Sequence, residues 1–202
     1  MDYKFSNIIV SGLPASGKSV LVKGLEKELG WKTHSVGELL REKHKKQLES
    51  GKTKLNFVDW WPALSDEEQI KVNEDLFSLI EKGSIIADTR YAELNKDTRI
   101  LYAKTQKPKY AEFRSTNSLL IFVTAPIETR MERISKDRYP GKNSAFIKSE
   151  LEKREYDEYH MGKTLFEINY KNPNVYHFII NSGLLTPNQE ISQVMNLMQD
   201  AR

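Results

Sequence analysis

The chain of 202 residues contains no cysteine, so it can form no disulfide and no thiolate metal site. Long apolar runs are absent too: the longest, Leu119 to Val123, is far shorter than the roughly 20 residues of a membrane-spanning helix. Charge of one sign is not in large excess, because 31 Lys and Arg residues against 28 Asp and Glu residues leave a net charge of +3. The N-terminus lacks the pattern of a signal peptide. We therefore predict a cytoplasmic protein with neither a membrane nor a nucleic-acid partner.

What the chain does contain is a series of short apolar segments separated by helical patterns. Hydrophobic residues make up 39% of it and aromatic residues 10%, enough for a single folded domain over residues 1–202. Segments such as NIIV and LLIFV are continuously apolar, which is typical of strands buried on both faces of a parallel sheet. The predicted strands lie near residues 5–11, 31–36, 84–88, 119–124 and 176–180. The alternation predicts an α/β fold, a three-layer sandwich around a five-stranded, mostly parallel sheet.

Capping residues indicate where the predicted helices begin and end. The first helix runs from Ser19 to Leu29 and stops at Gly30, and another follows Ser65. Pro126 and Pro187 precede two more. The polar residues 95–118 fit neither a strand nor a helix pattern, and we interpret them as an insertion.

One motif points directly to chemistry. Residues 12–19, GLPASGKS, match G-x-x-x-x-G-K-[ST] at every fixed position, directly after the first predicted strand and before the first predicted helix. In such a loop, successive N–H groups and the positive end of the helix bind phosphate oxygens, while Lys18 bridges the outer phosphates and Ser19 binds magnesium. The alternative is a Gly/Ser turn beside a chance lysine, and the flanking elements argue against it. The predicted nucleoside triphosphate ligands are Gly12, Pro14, Ala15, Ser16, Gly17, Lys18, Ser19 and Val20.

Charged residues also follow the second and third predicted strands. Arg41 ends the segment SVGELLR, and Asp88 and Arg90 end the segment IIADTR. Ligands of an open parallel sheet gather at the carboxyl ends of its strands, so the two arginines are expected to bind a second anion, and Asp88 to hold magnesium through a water. The structural alternatives are a turn or helix cap for Asp88 and solvated charges for the arginines. Two arginines after consecutive strands favour the functional interpretation.

With these motifs in place, the sequence resembles the nucleoside monophosphate kinases, and most closely the archaeal-type cytidylate kinases. The resemblance continues through FVTAPIETRMERI at 122–134, KRE at 153–155 and IINS at 179–182. It implies a P-loop transferase with an adenylate-kinase-like fold that carries a monophosphate-binding insertion at about 37–80 and a lid at about 135–163. After KRE the family usually has a further arginine, whereas this chain reads YDEYH, so Lys163 either replaces it or takes no part.

The resemblance also implies roles for individual residues. The acceptor would be bound by Ser35, Gly37, Arg41, Asp88 and Arg90, and magnesium by Ser19 and Asp88. Arg130 and Arg133 would lie near the ATP donor, and the catalytic set would be Lys18, Arg133, Arg138 and Arg154. The alternative for the lid residues is a charged, solvated helix with ordinary ion pairs. For the Trp pair in DWWP at 59–62 we favour packing in a core over stacking on a base.

The expected activity is Mg²⁺-dependent transfer of a phosphoryl group from ATP to CMP or dCMP, giving the diphosphate and ADP. Two alternatives remain: another P-loop kinase acting on a small molecule or a nucleic-acid end, and a nucleotide-binding regulatory module without net transfer. The chain has no N-K-x-D motif of the kind that reads guanine. Its partners are expected to be small nucleotides. The sequence leaves open the acceptor, the ribose preference, the oligomeric state and the role of residues 95–118.

Overall fold

The protein is built around a sheet of five parallel strands in the order β2-β3-β1-β4-β5. The computed structural model describes residues 3–61, 63–92 and 117–199. The strands are β1 (Asn7–Gly12), β2 (Lys32–Ser35), β3 (Ile85–Asp88), β4 (Ser118–Thr124) and β5 (Phe178–Asn181). The predicted α/β class and the predicted five-stranded parallel sheet are therefore confirmed. Most of the predicted insertion at 95–118 lies outside the described residues.

Seven α-helices of the described residues surround the sheet. They are α1 (Lys18–Leu29), α2 (Val36–Glu49), α3 (Phe57–Trp60), α4 (Asp66–Ile80), α5 (Ile127–Asp137), α6 (Ser144–Phe166) and α7 (Pro187–Gln199). A short 3-10 helix spans Pro173–Val175. Within the described ranges, no helix is long and apolar enough to cross a membrane.

Capping explains several of these boundaries. Helix α1 ends at Gly30, whose φ of 67° is a left-handed conformation that glycine adopts without strain. Helix α4 begins with a capping box, in which the Ser65 hydroxyl accepts from the backbone N–H of Glu68 while the Glu68 carboxylate accepts from the backbone N–H of Ser65. Asn143 is the N-cap of helix α6, and its side chain accepts from the N–H of Phe146. These local signals are readable in the sequence, and the predicted helix ends follow them closely.

Both faces of the sheet are covered, which accounts for the continuously apolar strands. Successive side chains of β1 enter different cores: Ile8 packs with α1 and α7 residues such as Leu21, whereas Ile9 packs with α4 residues such as Leu76. Strand β1 is buried along its whole length. Because β1 is also the central strand, the loop that follows it emerges in the middle of the carboxyl edge of the sheet.

Two smaller cores hold the segments outside the sheet. Between α2 and α4, Trp60 is 3% exposed and packs on Leu40, while its Nε1 donates to Gln47 Oε1 at 2.8 Å. Packing in a core, the interpretation favoured for the Trp pair, is therefore confirmed for Trp60. Between α5 and α6, Ile134 packs on Leu151 in a cluster that also touches Ala15 of the loop after β1.

Candidate active site

The loop of residues 12–19 connects β1 directly to α1, as its motif predicts. A Cβ atom on Gly12 would lie 2.3 Å from the carbonyl oxygen of Val123 in β4, so the loop passes too close to that strand for any side chain. Gly17 precedes α1 with a φ of 88°, and a Cβ there would lie 3.1 Å from Nη1 of Arg133. These two glycines therefore let the loop turn tightly between β4 and an arginine. A loop of this shape at a helix N-terminus is an anion-binding geometry.

A hydrogen-bonded bracket holds this loop from the side of β5. Arg133 of α5 donates from Nη1 to the Ser182 hydroxyl at 2.8 Å and from Nη2 to the Ser182 carbonyl at 3.0 Å. The Ser182 hydroxyl in turn donates to the Ser16 carbonyl at 2.5 Å. Arg133 was predicted to lie near the donor nucleotide, whereas Ser182, the last residue of the motif IINS, was not among the predicted site residues. The bracket fixes the conformation of the loop and puts a guanidinium beside Gly17.

Lys18, in the first turn of α1, forms an ion pair with Asp88 at the end of β3, and both side chains are only 12% exposed. Parallel pairing brings them together, because Val10 near the end of β1 is the register partner of Asp88. The pKa of Lys18 lies well below its ordinary value, chiefly because the side chain is buried. The charges of Arg90 and Arg154 lower this pKa further, and the charge of Glu158 opposes the shift. An anion bound beside Lys18 would therefore favour its charged form, which burial disfavours.

Arg90 joins the loop to α6. Its Nη1 donates to the Gly12 carbonyl, its Nε lies 2.6 Å from Oε2 of Glu158, and its own carbonyl accepts from the Ser11 hydroxyl at 2.8 Å. The other carboxylate oxygen of Glu158 lies 3.0 Å from Nε of Arg154. Burial lowers the pKa of Arg90, but Glu158, Tyr170 and Tyr91 together raise it by more, so the net shift is upward. The net shift of the Arg154 pKa is downward, chiefly because of burial. Glu158, which was not among the predicted site residues, therefore links the predicted site residues Arg90 and Arg154.

The residues predicted to bind the acceptor also converge. Ser35 is the register partner of Asp88 across β2 and β3, and it is the N-cap of α2. A Cβ on Gly37 would lie 3.3 Å from Nη1 of Arg41 and 3.5 Å from the Ser35 hydroxyl, so the Arg41 guanidinium folds back over the start of α2. Within the described ranges, no ion pair involves Arg41. An exposed cation next to a helix N-terminus suits an anionic ligand.

Other predicted residues lie away from the loop or have other partners. Arg130 is buried, and its Nη1 donates to Glu155 at 2.8 Å. Burial raises the pKa of Glu155, but the hydrogen bonds and the charges of Lys171 and Arg130 together lower it by more, so the net shift is downward. Arg138 is exposed at the end of α5, where its charge acts on Arg154. Lys163 is exposed on α6, and in the described part of the chain no ion pair involves it.

The donor set fits a magnesium ion that arrives with a nucleotide. Ser19 is exposed in the first turn of α1, and Asp88 is the nearby carboxylate at the end of β3. Over the described ranges, no group of three or more His, Asp or Glu side chains could hold a metal by itself. Magnesium is usually bound through one or two carboxylates, water and substrate phosphates, so a hydroxyl and one carboxylate suffice for the protein's share.

Comparison with known proteins agrees with this geometry. Residues 8–160 match the model of the AAA domain family AAA_18. The chain is 28% identical over 180 residues to an adenylate kinase from Phocaeicola vulgatus, covering 89% of this chain and 92% of the relative. It is 23% identical over 192 residues to a cytidylate kinase from Ignicoccus hospitalis, covering 95% and 98%.

Among solved structures, the fold is similar to that of a shikimate kinase from Bacteroides thetaiotaomicron. The TM-score is 0.55 at 12% identity, with 96% of this chain and 98% of that chain covered. At this identity the likeness concerns the fold, which is that of a P-loop kinase. Since the family model spans most of the chain, including the phosphate loop and the Glu158 segment, the protein belongs to the AAA domain family AAA_18.

Proposed function

We propose that the protein transfers the terminal phosphoryl group of ATP to the phosphate of a nucleoside monophosphate, CMP or dCMP, giving ADP and the nucleoside diphosphate. The observation that carries the proposal is the contact of Arg90 with the Gly12 carbonyl. A cation at the end of β3 thereby touches the phosphate loop itself, so a second anion bound to Arg90 would lie beside the phosphates bound to the loop. The two curated relatives described above, both kinases of nucleoside monophosphates, support the same class.

The acceptor needs no strong base, because its phosphate is already an anionic nucleophile near neutral pH. One of its oxygens forms a bond to the γ-phosphorus, the bond from that phosphorus to the β–γ bridging oxygen breaks, and ADP leaves with the electron pair. Catalysis then consists of alignment and neutralisation of charge. Lys18 and the loop N–H groups hold the donor, and Arg41 and Arg90 hold the acceptor.

The remaining cations neutralise the charge that spreads over the transferred group. Arg133 lies against Gly17 of the loop, and Arg154 is held next to Arg90 through Glu158. Magnesium bound with ATP would supply further neutralisation, with Ser19 and Asp88 as its protein ligands. We also propose that residues 37–80 form the monophosphate-binding insertion, and that residues 135–163 form a lid that excludes water and suppresses ATP hydrolysis.

The test is acceptor-dependent ADP release with ATP and Mg²⁺ over a panel of CMP, dCMP, UMP, AMP and GMP. We expect the highest kcat/KM with CMP or dCMP. A clear preference for AMP would replace the cytidylate assignment by an adenylate kinase, while no stimulation by any acceptor would refute the monophosphate kinase and favour another P-loop kinase or a nucleotide-binding module. Lys18→Ala is the control, expected to abolish turnover while the circular dichroism spectrum stays unchanged.

A further inference from the structure

Helix α6 changes its packing partners along its length. Its first half packs on α5 through Ile147 and Leu151. Its last turns belong to the main core, where the rings of Phe166 and Tyr91 have their centroids 5.1 Å apart. The Tyr91 hydroxyl donates to the Glu158 carbonyl at 2.9 Å, so the helix is already tied to the core at that residue. The change of partners therefore falls between Leu151 and Glu158.

Glu158 places its carboxylate at this junction. The residue is 9% exposed, and its two oxygens contact two different arginines, Arg90 from the core and Arg154 from the preceding turn of α6. Because a carboxylate is rigid and planar, simultaneous contact sets the separation of the two guanidinium groups. Tyr91 thus holds the backbone of Glu158, and the Glu158 carboxylate holds the side chains of Arg90 and Arg154.

Glu158 does not contact the terminal nitrogens of either arginine, although Nη1 of Arg90 already donates to the Gly12 carbonyl. A guanidinium has five N–H donors, and its two terminal nitrogens form one of the edges that can bind a phosphate in a bidentate manner. Glu158 contacts Nε in both cases. Among the described residues, the terminal nitrogens of Arg154 have no hydrogen-bond partner. Glu158 therefore contacts both guanidinium groups at Nε and leaves their terminal nitrogens to other partners.

The negative charge of Glu158 opposes anion binding, whereas its contacts hold the two arginines in place. Lys18, Arg90 and Arg154 bring three positive charges to the site, and Asp88 and Glu158 bring two negative ones. A negative charge this close to phosphate-binding cations weakens their attraction for an anion. Removal of the charge alone should therefore strengthen phosphate binding, whereas loss of alignment should slow transfer.

We propose that Glu158 is a positioning residue of the phosphoryl-transfer site, which aligns Arg90 with Arg154 and offsets part of their charge. The inference rests on the proposed function, since it assigns both arginines to the transferred group. In Glu158→Gln an NH₂ group would replace one carboxylate oxygen, so the arginine that faces it would lose its anionic partner and its position. Neither arginine is removed, so the site would keep its cations and lose their alignment.

The first experiment is steady-state kinetics with the acceptor that the panel identifies. Glu158→Gln is expected to lower kcat by roughly tenfold or more without raising the acceptor KM, because misalignment affects transfer and not charge attraction. Glu158→Asp keeps the charge on a shorter stem, which disturbs the alignment less, so it should retain part of that kcat but not all of it. The matched control is Glu152→Gln on the same helix, an exposed residue paired with Lys148, which should behave as wild type. An unchanged kcat in Glu158→Gln, or a raised KM alone, overturns the proposal.

A binding measurement separates this proposal from the proposed function. Calorimetric titration with inorganic tripolyphosphate should show binding to Glu158→Gln that is several-fold to roughly tenfold tighter than to wild type, and equal to wild type for Glu158→Asp. Weaker binding to Glu158→Gln would indicate a general structural role and overturn the proposal. If wild type shows no turnover with any acceptor, the proposed function fails while this titration still tests the charge of Glu158. If Glu158→Gln does not fold, Glu158→Asp decides, and a wild-type kcat there overturns the alignment.

Discussion

Replacing Ser182 with Ala removes one hydroxyl that connects α5, β5 and the phosphate loop. The hydroxyl accepts from the Arg133 guanidinium at 2.8 Å and donates to the Ser16 carbonyl at 2.5 Å. A hydrogen bond to a charged group contributes about 1.5–3 kcal/mol and a neutral one about 0.5–1.5 kcal/mol, so the substitution should lower the free energy of unfolding by about 2–4 kcal/mol. The bond from Arg133 to the Ser182 backbone carbonyl survives, which limits the loss.

The measurement is a thermal melt followed by circular dichroism, combined with ATP binding. For a domain of this size, about 2–4 kcal/mol corresponds to a Tm lower by about 5–15 °C, and the KM for ATP should rise because the Ser16 carbonyl is released. Ser78→Ala is the matched control, since that exposed hydroxyl donates to the Glu74 carbonyl one turn earlier in the same helix, α4. A Tm within about 1 °C of wild type, together with an unchanged KM for ATP, would refute the bracket as a support of the loop.

Three more variants each test a single contact. Gly12→Ala forces a Cβ to 2.3 Å from the Val123 carbonyl oxygen, so urea unfolding should show a free energy of unfolding lower by about 1–3 kcal/mol, and ATP binding should disappear. Gly30→Ala is the control, because a Cβ there meets nothing within 4 Å, and it should leave ATP binding intact. Arg41→Ala should raise the acceptor KM about tenfold to a hundredfold and leave acceptor-free ATP hydrolysis unchanged; an unaltered KM would remove Arg41 from the acceptor site. The lowered pKa of Glu155 means that its ion pairs stabilise the fold fully above its ordinary pKa and lose that effect as the pH falls through the lowered pKa. Glu155→Gln should therefore be less stable than wild type at pH 7, and the difference should shrink as the pH falls below the ordinary pKa of a glutamate. A difference in stability that does not change with pH would contradict that assignment.

Local signals predicted the fold well because each depends on neighbouring residues. The apolar runs, the Gly30 cap and the Ser65 capping box all report on a few consecutive positions, and the structure follows them within a residue or two. The phosphate loop was predicted for the same reason, since its shape requires glycine at given points of a strand–loop–helix unit. Arg130 was harder, because its neighbours in the chain do not reveal that Glu155, on another helix, binds it.

By itself, the sequence determined that this chain forms a parallel α/β sheet with a phosphate-binding loop at its centre, and that cations follow neighbouring strands. Only the tertiary structure decided which of those cations meet and what holds them. Ser182 supports a loop that lies 166 positions earlier in the chain, and Glu158 joins an arginine at the end of β3 to another on α6. Such contacts follow from how the strands and helices pack against one another. A single sequence contains the residues that make them but no local pattern that pairs them.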